Sequence, residues 1–282
     1  MATLERDILD KVGKYNLQEL SIISYSQDKE ESKPKFIDIK GITLTLSITE
    51  DIFNNSLSGN VVVYDMQDIR TIFPLTGLER LSLKLNTPGL PGYDMSEDTG
   101  IPFHIYKVDQ VRKDPANDKG QFYKIYFCSP EMINNTLASV SKAYSGPIED
   151  AVEDVFRQQK YLNSKKQLFV ENTSTNAKYV IPSLKPYQCI NYLSKQATSG
   201  KYNNAGYLFY ETAVGYHFRS LASLYAQPIS QSYTKYIAGA QVDKGIIDIE
   251  KELGSILDYE IVNNSNKFMP NLEKISFISH LL

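Results

Sequence analysis

Five residues of this chain could ligate a metal ion or supply a nucleophile and its base: His104, His217, His280, Cys128 and Cys189. His104 and His217 lie inside strand-like patterns, where a half-buried, hydrogen-bonded ring is the ordinary role of a histidine. A zinc site built from these side chains would need four distant segments to meet in one tetrahedron. The two cysteines lack the spacing of a metal site or of a disulfide framework, so we predict reduced core residues. The sequence therefore predicts no metal site, no cofactor and no catalytic cysteine.

Paired carboxylates are the second candidate for chemistry, because glycoside hydrolases use two acids. The pairs at 149–150 and 153–154 fall on the polar side of a predicted helix and are expected to face solvent, and the pair at 50–51 ends a strand. We find no acid in a hydrophobic pocket, the environment that raises a carboxyl pKa for acid catalysis. Sequence motifs of metalloproteases, serine hydrolases and nucleotide-binding loops are also absent. We therefore predict no catalytic residues. The acids considered are Glu50, Asp51, Glu149, Asp150, Glu153 and Asp154.

The stretch from 40 to 88 carries the clearest structural pattern. From 42 to 48 every second residue is aliphatic, and hydroxyl-bearing residues stand between them. Alternate side chains of a strand point to opposite faces, so this pattern predicts a strand with one apolar and one hydroxyl face. The run at 78–85 alternates in the same way, and the Asn, Ser and Gly residues at 54–60 are typical of a turn. The aliphatic residues of these strands are Ile42, Leu44, Leu46, Ile48, Leu81, Leu83 and Leu85.

Residues 35–129 are predicted to form an antiparallel β-barrel. A short helix at 65–74 interrupts its strands, and a loop at 90–101 rich in Gly, Pro and Asp is expected to make contacts outside the domain. Two further strands are predicted at 103–111 and 121–128, joined by a hairpin loop at 113–120.

After residue 129 the periodicity changes, and residues 130–234 are predicted to form a smaller α+β domain. A helix beginning at Pro147 has acidic residues in its first turn and basic residues in its last, which complements the helix dipole. A second helix begins near Pro186, and a weaker one spans 131–140. A β-hairpin is predicted from strands at 207–211 and 216–219.

The two ends of the chain are predicted to lie outside these domains. Residues 1–34 are expected to form an amphipathic helix followed by a charged loop, with Leu4, Ile8, Leu9 and Val12 on the apolar face of the helix. Residues 235–282 are predicted to form a C-terminal segment, in which 246–257 is a candidate helix.

Composition and charge indicate a folded protein with no membrane requirement of its own. Hydrophobic residues make up 42% of the 282 residues and charged residues 22%, and the net charge is −3. No apolar run approaches the roughly 20 residues of a membrane-spanning helix, and the N-terminus lacks a signal-peptide pattern. We expect synthesis in a cytoplasm. The scattered Lys and Arg residues form no basic stripe, which argues against sequence-specific nucleic-acid binding.

The order of these elements carries a family resemblance. Five segments follow one another along the chain. They are the alternating strand, the step Glu50-Asp51-Ile52-Phe53, the segment Asn-Ser-Leu-Ser-Gly, the run ending in Tyr64-Asp65 and the Gly-Leu-Glu-Arg-Leu strand. This order resembles the central hub proteins of contractile-tail phage baseplates, in the T-even-like group. The resemblance extends more weakly to about residue 264.

The resemblance implies a structural role in a virion tail, assembled in the host cytoplasm. Such proteins form homotrimers whose tube-like barrels stack on the tail tube or its initiator proteins, grip the central spike or tail lysozyme, and surround the channel through which DNA is ejected. Family members usually carry two such barrels. Because about 48 residues follow position 234, the C-terminal segment is expected to be at most the start of an incomplete second tube-like domain.

Two other functions remain open at this point. One is a tail-associated peptidoglycan hydrolase, which would need an acid pair or a Cys–His site. The other is an accessory host-binding tail module that uses the 90–101 loop and the Tyr-rich hairpin.

Overall fold

The computed structural model describes residues 15–24, 35–73, 75, 77–87, 92–115 and 117–229, and four two-residue strands further on. Tyr15–Ala226 lie in one compact unit, and Gln227–Leu282 belong to a second. The first unit contains two hydrophobic cores, one drawn from residues between 20 and 127 and the other from residues between 140 and 218. We call 15–129 the sheet region and 130–226 the α+β region. The two cores lie on either side of the predicted boundary at residue 129.

The sheet region is one antiparallel sheet, curled like half a barrel. Its strands are β1 (Asn16–Ser24), β2 (Lys35–Asp38), β3 (Thr43–Thr49), β4 (Ser58–Asp65), β5 (Arg80–Asn86), β6 (Tyr93–Met95), β7 (Phe103–Asp114) and β8 (Asn117–Cys128). They pair in the order β2-β1-β5-β7-β8-β4-β3, and β6 pairs with β5. In this order β2 and β3 stand at the two ends. The predicted antiparallel sheet is confirmed, whereas its closure into a barrel stays a prediction.

The two faces of the sheet differ as the alternation of residues predicts. Val61 and Val63 of β4 are buried, and their partners on β8 are Ile125 and Tyr123. The residues between them on both strands are only partly buried. Strand β3 follows the pattern less closely. Leu44, expected on the apolar face, is 58% exposed, because the pairing with β4 shifts by one residue between Thr43 and Thr45.

Gly59 of β4 lies close to both neighbouring strands, β3 and β8. A Cβ atom at Gly59 would collide with the backbone oxygen of Ser47 and the ring of Phe127. We expect Gly59→Ala to lower the free energy of unfolding by about 1–3 kcal/mol, since the clash involves backbone as well as side chain. Urea denaturation measures this. The matched control is Gly41→Ala, where a Cβ atom meets nothing within 4 Å. Equal stability of the two variants would contradict the expected clash.

Among the described residues, the α+β region contains two small sheets and four helices around its core. The strands are β9 (Val140–Pro147), β10 (Leu168–Val170), β11 (Asn176–Leu184), β12 (Tyr207–Thr212) and β13 (Gly215–Ser220). The helices are α2 (Pro130–Leu137), α3 (Ile148–Arg157), α4 (Pro186–Ser194) and α5 (Leu221–Tyr225), and a shorter helix, α1 (Ile69–Ile72), belongs to the sheet region. Strands β9 and β11 pair with each other, and β13 lies between β10 and β12. The apolar face of α3 is buried, as its sequence pattern predicts.

Several predicted boundaries are corrected. The prediction placed Asn16–Ser24 in the N-terminal helix and loop of residues 1–34. These residues instead form strand β1 between β2 and β5, because β1 buries Leu20 and Ile22. The predicted helix positions before residue 15 and the loop at 25–34 lie outside the described residues. Within the 90–101 loop, β6 pairs with β5. The β7–β8 ladder continues to the pair Asp114 and Asn117, so the hairpin loop is shorter than predicted.

The second unit also departs from expectation where the structure describes it. Ile246–Ile247 is a strand paired with Val242–Asp243, and Ser255–Ile256 is a strand paired with Thr234–Lys235. These four residues at 246–247 and 255–256 are therefore not helical, contrary to the prediction for 246–257. The β-branched residues Ile246, Ile247 and Ile256 suit an extended backbone.

Candidate functional site

Three charged side chains meet inside the α+β region, in a group that we call the ion cluster: Glu131, Lys166 and Glu211. Glu131 lies in the first turn of α2, Lys166 precedes β10, and Glu211 lies on β12. Lys166 Nζ is 3.0 Å from Glu131 Oε2 and 2.5 Å from Glu211 Oε1. The three residues are 3%, 4% and 1% exposed. Such residues are almost never this buried unless they are paired.

Every carboxylate oxygen of the ion cluster accepts a hydrogen bond from the protein. Glu131 Oε1 accepts from Ser164 Oγ at 2.6 Å, and Tyr216 Oη donates to Glu131 Oε2 at 3.4 Å. Glu211 Oε2 accepts from the backbone N–H of Leu57 at 2.8 Å. Because Leu57 belongs to the sheet region, this bond joins the two regions through a buried charge. A charge-assisted bond of this kind is stronger than a bond between neutral groups.

The electrostatics of the ion cluster follow from one cation lying between two acids. Burial raises the pKa of Glu211, and the neighbouring charge of Glu131 adds to the rise, although Lys166 acts in the other direction. Burial alone would lower the pKa of Lys166, but the two carboxylates outweigh it and hold the pKa above its ordinary value. We infer that Lys166 stays charged and that Glu211 takes up a proton more readily than an exposed glutamate.

This raised pKa makes stability depend on pH with a definite sign. A carboxyl whose folded-state pKa is raised stabilises the fold below its unfolded value of 4.5, and that contribution is lost as the pH rises through the folded value. We expect the free energy of unfolding of the wild type, relative to Glu211→Gln, to fall as the pH rises above 4.5. Urea denaturation at steps from pH 4.5 to pH 8 measures the two slopes. Identical slopes would show that Glu211 does not titrate in this window.

The turn at 50–57 makes three more contacts between the regions. Glu50 Oε1 accepts from the backbone N–H of Ala213 at 2.9 Å, and Asn55 Nδ2 donates to the backbone oxygen of Phe209 at 2.8 Å. Asn55 and Asn191 also exchange amide hydrogen bonds at 3.0 and 3.1 Å. Together with Leu57, this turn therefore holds the α+β region against the sheet region.

Of the predicted metal and nucleophile candidates, His104 and Cys128 lie opposite each other on β7 and β8, whereas Cys189 lies in α4 and His217 on β13. His217 stacks between the rings of Phe169 and Tyr210, at 4.8 and 4.9 Å between centroids, and its Nε2 is 2.9 Å from Thr212 Oγ1. Burial lowers the pKa of His217 and also that of His104. His280 lies outside the described residues. No group of three or more His, Cys, Asp or Glu residues in the described part of the chain could hold a metal ion.

The cysteine prediction is confirmed. Cys128 and Cys189 are both free and buried. Burial raises the pKa of each thiol to about 12, so neither is a thiolate at neutral pH.

The carboxylate prediction is partly wrong. Asp150 and Glu153 are exposed as expected. Glu149 instead accepts hydrogen bonds from the backbone N–H and the hydroxyl of Thr173. Asp154 lies 2.9 Å from Lys142 Nζ and accepts from Tyr144 Oη at 2.7 Å. These two acids therefore attach α3 to its neighbours.

Sequence reasoning also missed the ion cluster, because it found no acid in a hydrophobic pocket. One signal was present in β12. Tyr207, Phe209 and Glu211 share one face of that strand, and the first two are large apolar residues that predict a buried face. The partner Lys166 lies 45 positions from Glu211, so no local spacing in the sequence indicates the pair.

The overall chain path is similar to that of several tail proteins. Each comparison covers 80% of this chain. A tail protein of Neisseria meningitidis matches with 10% identity and a TM-score of 0.47 over 56% of its own chain, and the 43 kDa tail protein of prophage MuSo2 of Shewanella oneidensis matches with 12% identity and a TM-score of 0.44 over 59% of its chain. An E. coli component of the type VI secretion system matches with 11% identity and a TM-score of 0.40 over 53% of its chain. The chain thus spans between half and three fifths of the length of these proteins.

No protein-family model matches the chain, and no curated protein sequence matches it. In the described residues no helix is both long enough and apolar enough to span a bilayer.

Proposed function

We propose that this chain is a structural hub of a contractile phage tail baseplate. In this role it acts as a trimeric adaptor that joins the tail tube to the central spike and forms part of the DNA channel. The order of residues from 40 to 88, which resembles such hub proteins, supports the proposal. The protein then works by assembly and carries out no chemical turnover.

The observation that carries the proposal is the edge strand β3. It stands at one end of the sheet order and reads Thr-Leu-Thr-Leu-Ser-Ile-Thr, without a charge or a proline. Proteins that stay monomeric usually protect such edges with charges, prolines or short strands. Strand β2, at the other end, has four residues and includes Lys35 and Asp38. An unprotected edge on one side favours assembly with a further strand, and closed symmetry limits the number of copies.

The junction between the two regions also suits an adaptor. A protein that transmits force from a tube to a spike needs its parts to move as one body. The buried ion cluster and the 50–57 turn supply directional contacts that hold the two regions in one orientation.

A hydrolytic function receives less support from the same contacts. Glu50 and Glu149 are the acids that a peptidoglycan hydrolase would use here, and each already accepts from a backbone N–H of another element. Glu211 has the raised pKa of a general acid, but protein donors occupy both of its oxygens. A zymogram on peptidoglycan is expected to show no clearing, and clearing that is lost in Glu50→Gln or Glu149→Gln would contradict the proposal.

The native mass of the purified chain tests the proposal directly. We expect a trimer, and a larger complex when the spike protein from the same tail is added. Electron microscopy of tails carrying a tagged chain should place the tag on the central axis of the baseplate. A monomer at all concentrations, with and without the spike protein, would overturn the hub function.

A further inference from the structure

The solvent-facing side of β4, β7 and β8, which we call the outer face, combines cations with aromatic rings. Across β8 and β7, Tyr126 lies opposite Lys107, and Phe122 lies opposite Arg112. Across β8 and β4, Lys124 lies opposite Val62. Residues 103–128 contain five Lys or Arg residues and three Asp residues, in a chain whose net charge is −3. Basic charge is therefore concentrated on this part of the sheet.

Two of these cations, Arg112 and Lys124, form no ion pair with a described residue, although Asp109 lies opposite Lys124 across β7 and β8. Lys107 is paired with Asp109 at 2.5 Å. In contrast, no carboxylate in the described part of the chain forms an ion pair with Arg112 or Lys124, and Lys124 Nζ lies over the ring of Tyr126 at 5.0 Å from its centroid. Both cations are thus available to an anion from outside the chain.

The two unpaired cations share a surface pocket. This pocket has a volume of about 330 Å³ and is lined by Val62, Arg112, Phe122, Tyr123 and Lys124. Its volume lies at the lower end of the roughly 300–1,000 Å³ range of ligand pockets. Its walls offer a phosphate two cations.

We propose that the outer face is a contact surface for the phosphate backbone of DNA, with Arg112 and Lys124 as the phosphate-binding residues. This inference rests on the proposed conduit function, in which DNA passes the sheet. Arg, Lys, Asn, Ser, Thr and Tyr side chains make most phosphate contacts in protein–DNA complexes and read no sequence. Asn60 and Tyr126 lie opposite each other, two positions along their strands from the pair formed by Val62 and Lys124. The proposed conduit function favours DNA over an acidic protein surface, because duplex DNA carries a regular line of phosphates that the two cations can contact.

Fluorescence anisotropy of a labelled 20-base-pair duplex with the full-length chain tests the proposal. We expect weak binding, with a Kd of about 10⁻⁴–10⁻⁶ M that does not depend on base sequence. The Arg112→Gln/Lys124→Gln variant should bind at least about fivefold more weakly at low salt. It should also reduce the slope of log Kd against log salt by roughly 1.8, since each phosphate contact contributes about 0.9.

The matched control removes the same charge from the α+β region. Lys178→Gln/Lys195→Gln changes two exposed lysines and should leave the affinity and the salt slope unchanged. Equal weakening by both variants, or no binding by the wild type at 20 mM salt, would overturn the proposal. So would equally tight binding of a polyglutamate of the same charge, because that result would indicate an acidic protein partner.

The native mass separates this inference from the proposed function. If the wild type is a trimer that fails to bind the duplex, the DNA contact alone is wrong. If the wild type stays monomeric, the hub function is wrong whatever the anisotropy shows. A trimer that is lost in Arg112→Gln/Lys124→Gln would identify the outer face as a subunit interface and would also overturn the DNA contact.

Discussion

We expect Lys166→Met to lower the free energy of unfolding by about 3–5 kcal/mol, the usual cost of removing one partner from a buried ion pair. The substitution leaves Glu131 and Glu211 facing each other in a site that excludes water. At neutral pH the two carboxylates would repel each other, and one of them would have to take up a proton. Urea denaturation at pH 7 measures the loss.

Two controls show whether repulsion between the two carboxylates is responsible for the loss. Lys165→Met changes the neighbouring exposed lysine and should alter stability by less than about 0.5 kcal/mol. Adding Glu131→Gln and Glu211→Gln to Lys166→Met removes both repelling charges and should restore most of the lost stability. If the triple variant is as unstable as Lys166→Met, repulsion between the two carboxylates does not cause the loss.

The strands were predictable where one face of a strand is buried and the other is exposed to solvent. The alternation at 42–48 and 78–85 predicted β3 and β5, and the hairpin of β12 and β13 was predicted nearly residue by residue. Strand β1 was missed because the apolar pattern of residues 1–12 favoured a helix that was extended too far. Strands β9 and β11 were missed because the exposed residues of β9 are small, and because β11 contains Pro182 and exposes the apolar Val180, so neither shows a clear alternation of apolar and polar residues.

The functional features were harder to predict because they arise between elements. The ion cluster joins Glu131, Lys166 and Glu211 from three separate elements, and no local pattern links them. The basic character of the outer face could not be predicted for a related reason. Along β7 the basic residues Lys107 and Arg112 are separated by Asp109, so the sequence shows no basic run. Lys124 joins this face only through the pairing of the strands, since β8 places it opposite Asp109, between the positions of Lys107 and Arg112.

The second large effect is expected on the oligomeric state, from substitutions on the edge strand β3. We expect Thr45→Lys/Ser47→Lys to convert the assembled protein to monomer, because lysines on an edge strand oppose the approach of another chain. Both side chains are exposed, so the folded chain should keep its stability within about 0.5 kcal/mol. Native mass spectrometry measures the oligomer, and urea denaturation checks the fold.

The matched control places the same residue type on another exposed strand. Ser141→Lys/Ser145→Lys alters two exposed serines of β9, in the α+β region, and should leave the oligomer intact. The β3 variant also separates two ways of assembling. If subunits join through the edge of β3, the oligomer is lost while the outer face remains free to bind DNA. If the β3 variant stays oligomeric, subunits assemble through another surface, and the uncharged edge of β3 must then be covered in some other way.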